Sequence, residues 1–228
     1  MKLITEEALR NRFHVFQNRA HVAELLTRKL ETYRGRKGFI LAVPSGGVPI
    51  GYTISSELHL PLDLVIVRKI QIPWQPEAGF GSITSGGDVY LNDNLVASLR
   101  LSDDVIDRCL KETKEEIERR DHKFRRGRPF PEVQDMTVIV VDDGLASGYT
   151  MLAAVESVRR RSPSKVVVAV GTASEGSLGV IEKRVDEAIC LNIRGGPFYA
   201  VADAYQEWHD LSDGEVLTYL KKVGGSPT

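Results

Sequence analysis

Apolar positions in this chain fall into short β-branched runs separated by longer amphipathic stretches. Residues 3–16 are amphipathic without a settled period. Over residues 18–33, Val22, Leu25, Leu26 and Leu30 recur at helical spacing, and Gly35 ends the pattern. Residues 39–43 read as a buried strand. The spacing then predicts a helix over 50–60 with Ile54 and Leu58 inward, and another buried strand over 62–67. Residues 70–93 are the least regular stretch, punctuated by Pro73, Pro76, Gly79 and Gly81. Alternation from Gly81 to Leu91 about Ser85-Gly86-Gly87-Asp88 predicts a β-hairpin there.

The second half is more regular. A long helix is expected over 102–126, capped by Ser102, with Val105, Ile106, Cys109, Leu110 and Ile117 on its apolar face. Then come a strand over 137–141, a helix over 151–160, a strand over 165–171, a helix over 176–185, a strand over 188–193 and a closing helix over 212–222. Strands alternating with helices predict an α/β fold: a doubly wound, mostly parallel sheet flanked by helices, with right-handed crossovers.

Composition narrows the classes. The 228 residues suffice for one domain with a substantial core. Lys and Arg number 30 against 31 Asp and Glu, a net charge of −1, which argues against nucleic acid or an anionic membrane as partner. No apolar run has the length of a membrane span and the first residues, MKLITEEALRNRF, contain no signal-type apolar segment, so a cytoplasmic protein is expected. Cys109 and Cys190 form no metal-ligand pattern and are read as small core residues. His14, His21, His59, His122 and His209 show no paired spacing.

Chemistry concentrates in Met136–Met151. Asp142 and Asp143 stand where the 137–141 strand is expected to end, followed by Gly144, Leu145, Ala146, Ser147, Gly148, Tyr149 and Thr150. A Gly-containing loop between strand and helix offers backbone N–H groups beside the positive end of the helix dipole, a cradle for phosphate. Gly148 is expected there because a side chain would occupy the anion's place. The two acids repel that phosphate and suit neutral sugar hydroxyls or a shared metal. Phosphate beside vicinal hydroxyls outlines a ribose 5-phosphate. A second strand–Gly loop–helix unit lies at Pro44-Ser45-Gly46-Gly47. Arg68 and Lys69 follow the 62–67 strand, placed to face the crevice of an open parallel sheet.

The run Val138-Ile139-Val140-Val141-Asp142-Asp143, with Ala146-Ser147-Gly148-Tyr149-Thr150, resembles the motif with which type I phosphoribosyltransferases bind 5-phosphoribosyl 1-diphosphate (PRPP). Gly144 departs from it, standing where the family usually has an aliphatic residue. The resemblance covers about residues 38–193. It implies that residues 142–150 bind PRPP with Mg²⁺, Asp142 and Asp143 being candidate metal ligands, and that Ser45, Gly46, Gly47, Arg68 and Lys69 bind pyrophosphate. Arg68 and Lys69 would then aid its departure. It also implies a flexible flap over about 70–93, a small hood from about 1–36 and 194–228, and a homodimer. The expected reaction transfers ribose 5-phosphate to a nucleobase-like acceptor with release of pyrophosphate. Ala146 stands where 6-oxopurine enzymes carry an Asp, which weighs against that acceptor class. Glu77 in the flap is the candidate general base, by location alone. Trp74 and Phe80 either stack on a base or pack the flap, with packing ranked first. Phe198, Tyr199, Tyr205 and Trp208 either stack on a base or staple the tail to the N-terminal helices, with a base pocket ranked first for Phe198 and stapling for Trp208. Two other classes stay open: a PRPP-sensing regulator without catalysis, and, ranked third for want of a G-x-G-x-x-G after the first strand, a dinucleotide enzyme.

Overall fold

The computed structural model describes residues 1–196 and 198–224, apart from the side chains of residues 76, 77 and 224. Among the described residues, nine strands form two sheets. The larger sheet has six strands, all parallel, in the order β1 (Lys2–Thr5), β9 (Glu187–Arg194), β8 (Lys165–Ser174), β7 (Thr137–Leu145), β2 (Gly38–Ala42), β3 (Leu62–Leu64). Its central strands are β-branched and buried on both sides, as a parallel sheet between helical layers requires.

One face carries α1 (Arg19–Lys29) and α2 (Gly47–Leu58), and the other carries α5 (Tyr149–Arg159) and α6 (Glu175–Ile181). Each face has its own apolar cluster. Ile139 and Val141 of β7 pack toward α1 and α2, while Val138 and Val140 pack toward α5 and α6. Asn18 caps α1, accepting from Ala20 and His21 N–H at 3.1 and 3.2 Å. A closing helix, α7 (Asp213–Gly224), rests on α2 and α4 (Asp103–Arg125).

The stretch expected to be a flexible flap is more built than the sequence implies. β4 (Val67–Ile72), β5 (Gln75–Thr84) and β6 (Val89–Leu91) form an antiparallel sheet, followed by α3 (Asp93–Leu99) and α4. Ile70, Ile72, Phe80, Ile83, Cys109 and Ile117 give it a third apolar cluster. Its turn is pinned to the far end of α5. Asp88 accepts from Ser157 Oγ at 2.6 Å and pairs with Arg161 at 3.1 Å and Arg160 at 3.4 Å. Burial raises the Asp88 pKa, but those hydrogen bonds and charges outweigh it and hold the carboxyl below its usual range.

Three expectations change. Residues 2–5, read as irregular, are an edge strand beside β9. The 62–67 strand is two strands in different sheets, since the chain leaves the large sheet after Leu64. The 137–141 strand does not stop at the acids but runs through Leu145, because β8 keeps pairing with it as far as Leu145↔Ala173. Cys109 and Cys190 are buried and unpaired, as expected. Among the described residues, no helix is long and apolar enough to cross a membrane.

Candidate active site

β2 and β7 are neighbours whose following helices leave to opposite faces. That is the topological switch point of an open α/β sheet, where ligands bind. The loop after β2 and the acids of β7 meet there. A Cβ on Gly46 would lie 2.0 Å from Asp143 Oδ2, and one on Gly47 would lie 2.3 Å from the Val141 carbonyl oxygen. Only glycine lets the 44–47 loop lie this close to the strand.

Because β7 continues past them, Asp142 and Asp143 project to opposite faces of the sheet. Asp143 falls on the α1 side and is 8% exposed. Arg19, 9% exposed, brings Nε and Nη2 each to 2.9 Å from Asp143 Oδ2. Tyr205 donates its hydroxyl to the Asp143 carbonyl at 2.7 Å. Asp142 remains partly exposed, and its Oδ1 accepts from Asp143 N–H at 2.8 Å. Burial and the charge of Asp143 raise the Asp142 pKa well above the usual range. Asp143 is raised by burial as well, with Arg19 pulling against it. The two carboxylates thus differ in surroundings: Asp143 is buried and paired with Arg19, and Asp142 is the more exposed.

The loop after β7 suits an anion. Ala146 and Ser147 are exposed, and Gly148 turns the chain at φ +82° into α5, whose first N–H groups lack intrahelical partners. Tyr149 (57% exposed) and Thr150 stand outward. Leu145 is buried, and its carbonyl accepts from Ser177 Oγ at 3.0 Å, which buttresses the loop from α6. A Cβ on Gly148 would lie 2.6 Å from the Ser177 carbonyl oxygen of α6, which is a further reason for glycine here. Gly144 also has a reason: a Cβ there would meet Val201 Cγ1 at 2.6 Å and Thr172 Cγ2 at 2.9 Å, so its absence lets the chain's tail close on β7.

The basic pair is divided. Arg68 shares a face of β4 with buried Ile70 and Ile72 and is ion-paired to Glu116 of α4, so the expectation that both cations face the crevice is corrected for Arg68. Lys69 is on the opposite, exposed face, its stem lying over Gly79. Glu77 belongs to β5, but its side chain lies outside the described residues. Trp74 is 62% and Phe198 87% exposed, whereas Phe80 is buried in the small sheet. Ser45 sits beside Gly46 at the entry to α2, joined to Pro44 by a cis peptide.

Sequence reasoning missed Arg19. Tyr199 donates to Thr172 Oγ1 at 3.2 Å beside Gly144, and burial raises its pKa. Arg194 packs on the Phe13 ring at 3.9 Å and pairs with Asp203 at 3.2 Å, building the rim beyond β9. Trp208 does staple the tail, lying under Arg19 at 4.1 Å and against Tyr205 at 5.0 Å. Among the described residues, no three or more His, Cys, Asp or Glu side chains gather as a metal cage. A Mg²⁺ that keeps its waters and arrives with a diphosphate needs only one or two carboxylates. Asp142, partly exposed and in no ion pair among the described residues, fits that demand.

A model of the phosphoribosyl transferase domain matches residues 14–200. In two strains of Mycobacterium tuberculosis, a protein carried under the provisional name of phosphoribosyl transferase is 33% identical over 209 residues, 92% of this chain and 47% of its own length. The chain thus spans about half the length of the curated relatives it matches. The crystal structure of the protein TT1426 from Thermus thermophilus superposes with a TM-score of 0.76 at 30% identity, over 91% of this chain and 98% of that one.

Proposed function

The chain belongs to the phosphoribosyl transferase family, and from that premise we propose that it transfers ribose 5-phosphate from PRPP to a nucleobase-like acceptor. The observation that carries the reading is the meeting of three parts at one switch point: the open 146–150 loop, the partly exposed Asp142, and the Gly46–Gly47 loop packed against the acid pair.

The ligand's 5-phosphate takes the 146–150 backbone and the first turn of α5. Asp142 accepts from a ribose hydroxyl, and the diphosphate lies along residues 45–47. An acceptor nitrogen forms its bond to C1 as the C1–O bond to pyrophosphate breaks, and both electrons of that bond leave with the pyrophosphate. Mg²⁺ carried with PRPP would neutralise part of the leaving charge. Lys69, on the exposed face of the small sheet, is the protein cation proposed to assist departure. The protein contributes chiefly position and fixed charge. As proposals that rest on the family, the active unit is a homodimer and the protein is cytoplasmic, and Glu77 is the candidate base.

Arg68 favours a second reading. With its charge taken by Glu116, the site could bind PRPP as a sensor without turning it over. The deciding experiment incubates the chain with Mg·PRPP and a panel of purine, pyrimidine and related bases, and follows pyrophosphate release. Base-dependent release is expected. Tight binding of Mg·PRPP with no release for any acceptor would favour the sensor, and no binding would remove both readings.

A further inference from the structure

Arg19 closes a ring of contacts around Asp143. Its Nε and Nη2 hold the carboxylate, its Nη1 donates to the His209 carbonyl at 3.0 Å, and its guanidinium lies 4.1 Å from the centre of the Trp208 ring. Trp208 packs on Tyr205, whose hydroxyl returns to the Asp143 carbonyl at 2.7 Å. Two parts of the proposed ligand site rest on the acid so held. Asp143 N–H fixes the Asp142 carboxylate at 2.8 Å, and the Asp143 carboxylate fills the space beside Gly46 that any side chain would need. A shift of Asp143 therefore moves Asp142 and the 45–47 loop together.

We infer that Arg19 is a positioning residue for ligand recognition: it clamps Asp143 away from the ligand as the strut on which the sugar-facing Asp142 and the pyrophosphate loop are set. This rests on the reading that the site binds PRPP. It assigns the two acids different tasks, and it makes the start of α1 and the 205–209 tail segment part of the ligand site without either touching the ligand. A planar cation that sets two N–H groups on one carboxylate oxygen and lies on a ring is required, which Arg supplies and Lys does only in part.

The test is a double-substitution cycle read by calorimetric titration with Mg·PRPP. Arg19→Gln is expected to raise Kd about 10- to 100-fold, the usual cost of removing a group that orients a ligand-contacting residue. Arg19→Lys is expected to recover part of that loss. Asp143→Asn alone should also weaken binding, and Arg19→Gln/Asp143→Asn should bind no more weakly than the worse single variant, because the two act as one unit. A role of Arg19 in general stability would instead give independent losses that multiply. Wild-type affinity in Arg19→Gln, or multiplying losses, overturns the inference. Failure of the wild-type chain to bind Mg·PRPP removes the PRPP reading itself, a distinguishable result. If Arg19→Gln does not fold, the charge-free double variant is compared with Asp143→Asn: equal affinity upholds the inference and a further loss overturns it.

Discussion

Gly144→Ala isolates one contact between the tail and the sheet. The added methyl would sit 2.6 Å from Val201 Cγ1 and 2.9 Å from Thr172 Cγ2, inside any normal carbon–carbon separation. Thr172 is held by its hydrogen bond to Asn192 at 2.7 Å, so Val201 and the tail segment that carries it must move. Overpacking of this kind costs about 1–3 kcal/mol. For a chain of this size, each kcal/mol lowers Tm by about 2–4 °C. Val201→Ala alone should cost roughly 1 kcal/mol, since it deletes partly buried methyls. In the double variant the new methyl occupies space the old ones vacated, so the two costs should fail to add by about 1 kcal/mol or more. Urea unfolding followed by circular dichroism for the four proteins measures this. Additive losses would refute the claim that Val201 is what forbids a side chain at position 144.

Gly148→Ala forces φ +82° on an L-residue and drives its Cβ to 2.6 Å from the Ser177 carbonyl oxygen. A stability loss of about 1–3 kcal/mol is expected, together with weaker phosphate binding, both readable by thermal shift with and without ribose 5-phosphate. Asp88→Asn removes the ion pairs that pin the β5–β6 turn to α5, and hydrogen exchange across residues 79–91 should accelerate by about tenfold while β7 and β8 stay protected. Glu215, which caps the α7 start by accepting from Ser212 Oγ and N–H, has its pKa lowered from 4.5 to about 2. A depressed carboxyl stabilises the fold above its unfolded value and loses that contribution as pH falls from about 4.5 toward 2, so Glu215→Gln should flatten the acid limb of stability between those values.

The large sheet was readable because its strands are Val/Ile runs bounded by Gly, Pro and acids, and the 144–150 loop stood out because its residue types have few other uses in that order. What failed to read was set by partners distant in the chain. Asp142 and Asp143 are poor strand formers, so a local pattern stops β7 before them, while continued pairing with β8 carries the strand on. Val65 and Ile66 are as apolar as a strand interior, and nothing local says that the chain changes sheets there. Arg19 follows a helix cap, where a cation is ordinarily solvated. Only the fold brings it to Asp143, 124 residues away. Arg68 was read from the charge at a strand end, but the direction of its side chain depends on β4 joining a sheet of which the sequence announced only the β5–β6 hairpin.

The margins of the six-stranded sheet have a consequence of their own. Its long strands lie inside, and its two outermost members are only four and three residues long. Each is also guarded by charge: Lys2 faces Glu187 at one border, and Asp63, gripped by buried Arg125, occupies the other. Strand borders this short and this polar give a second molecule almost no unpaired backbone to extend. Self-association through a continued sheet is thereby disfavoured, and the protein should stay dispersed at concentrations where longer, bare borders would template fibrils.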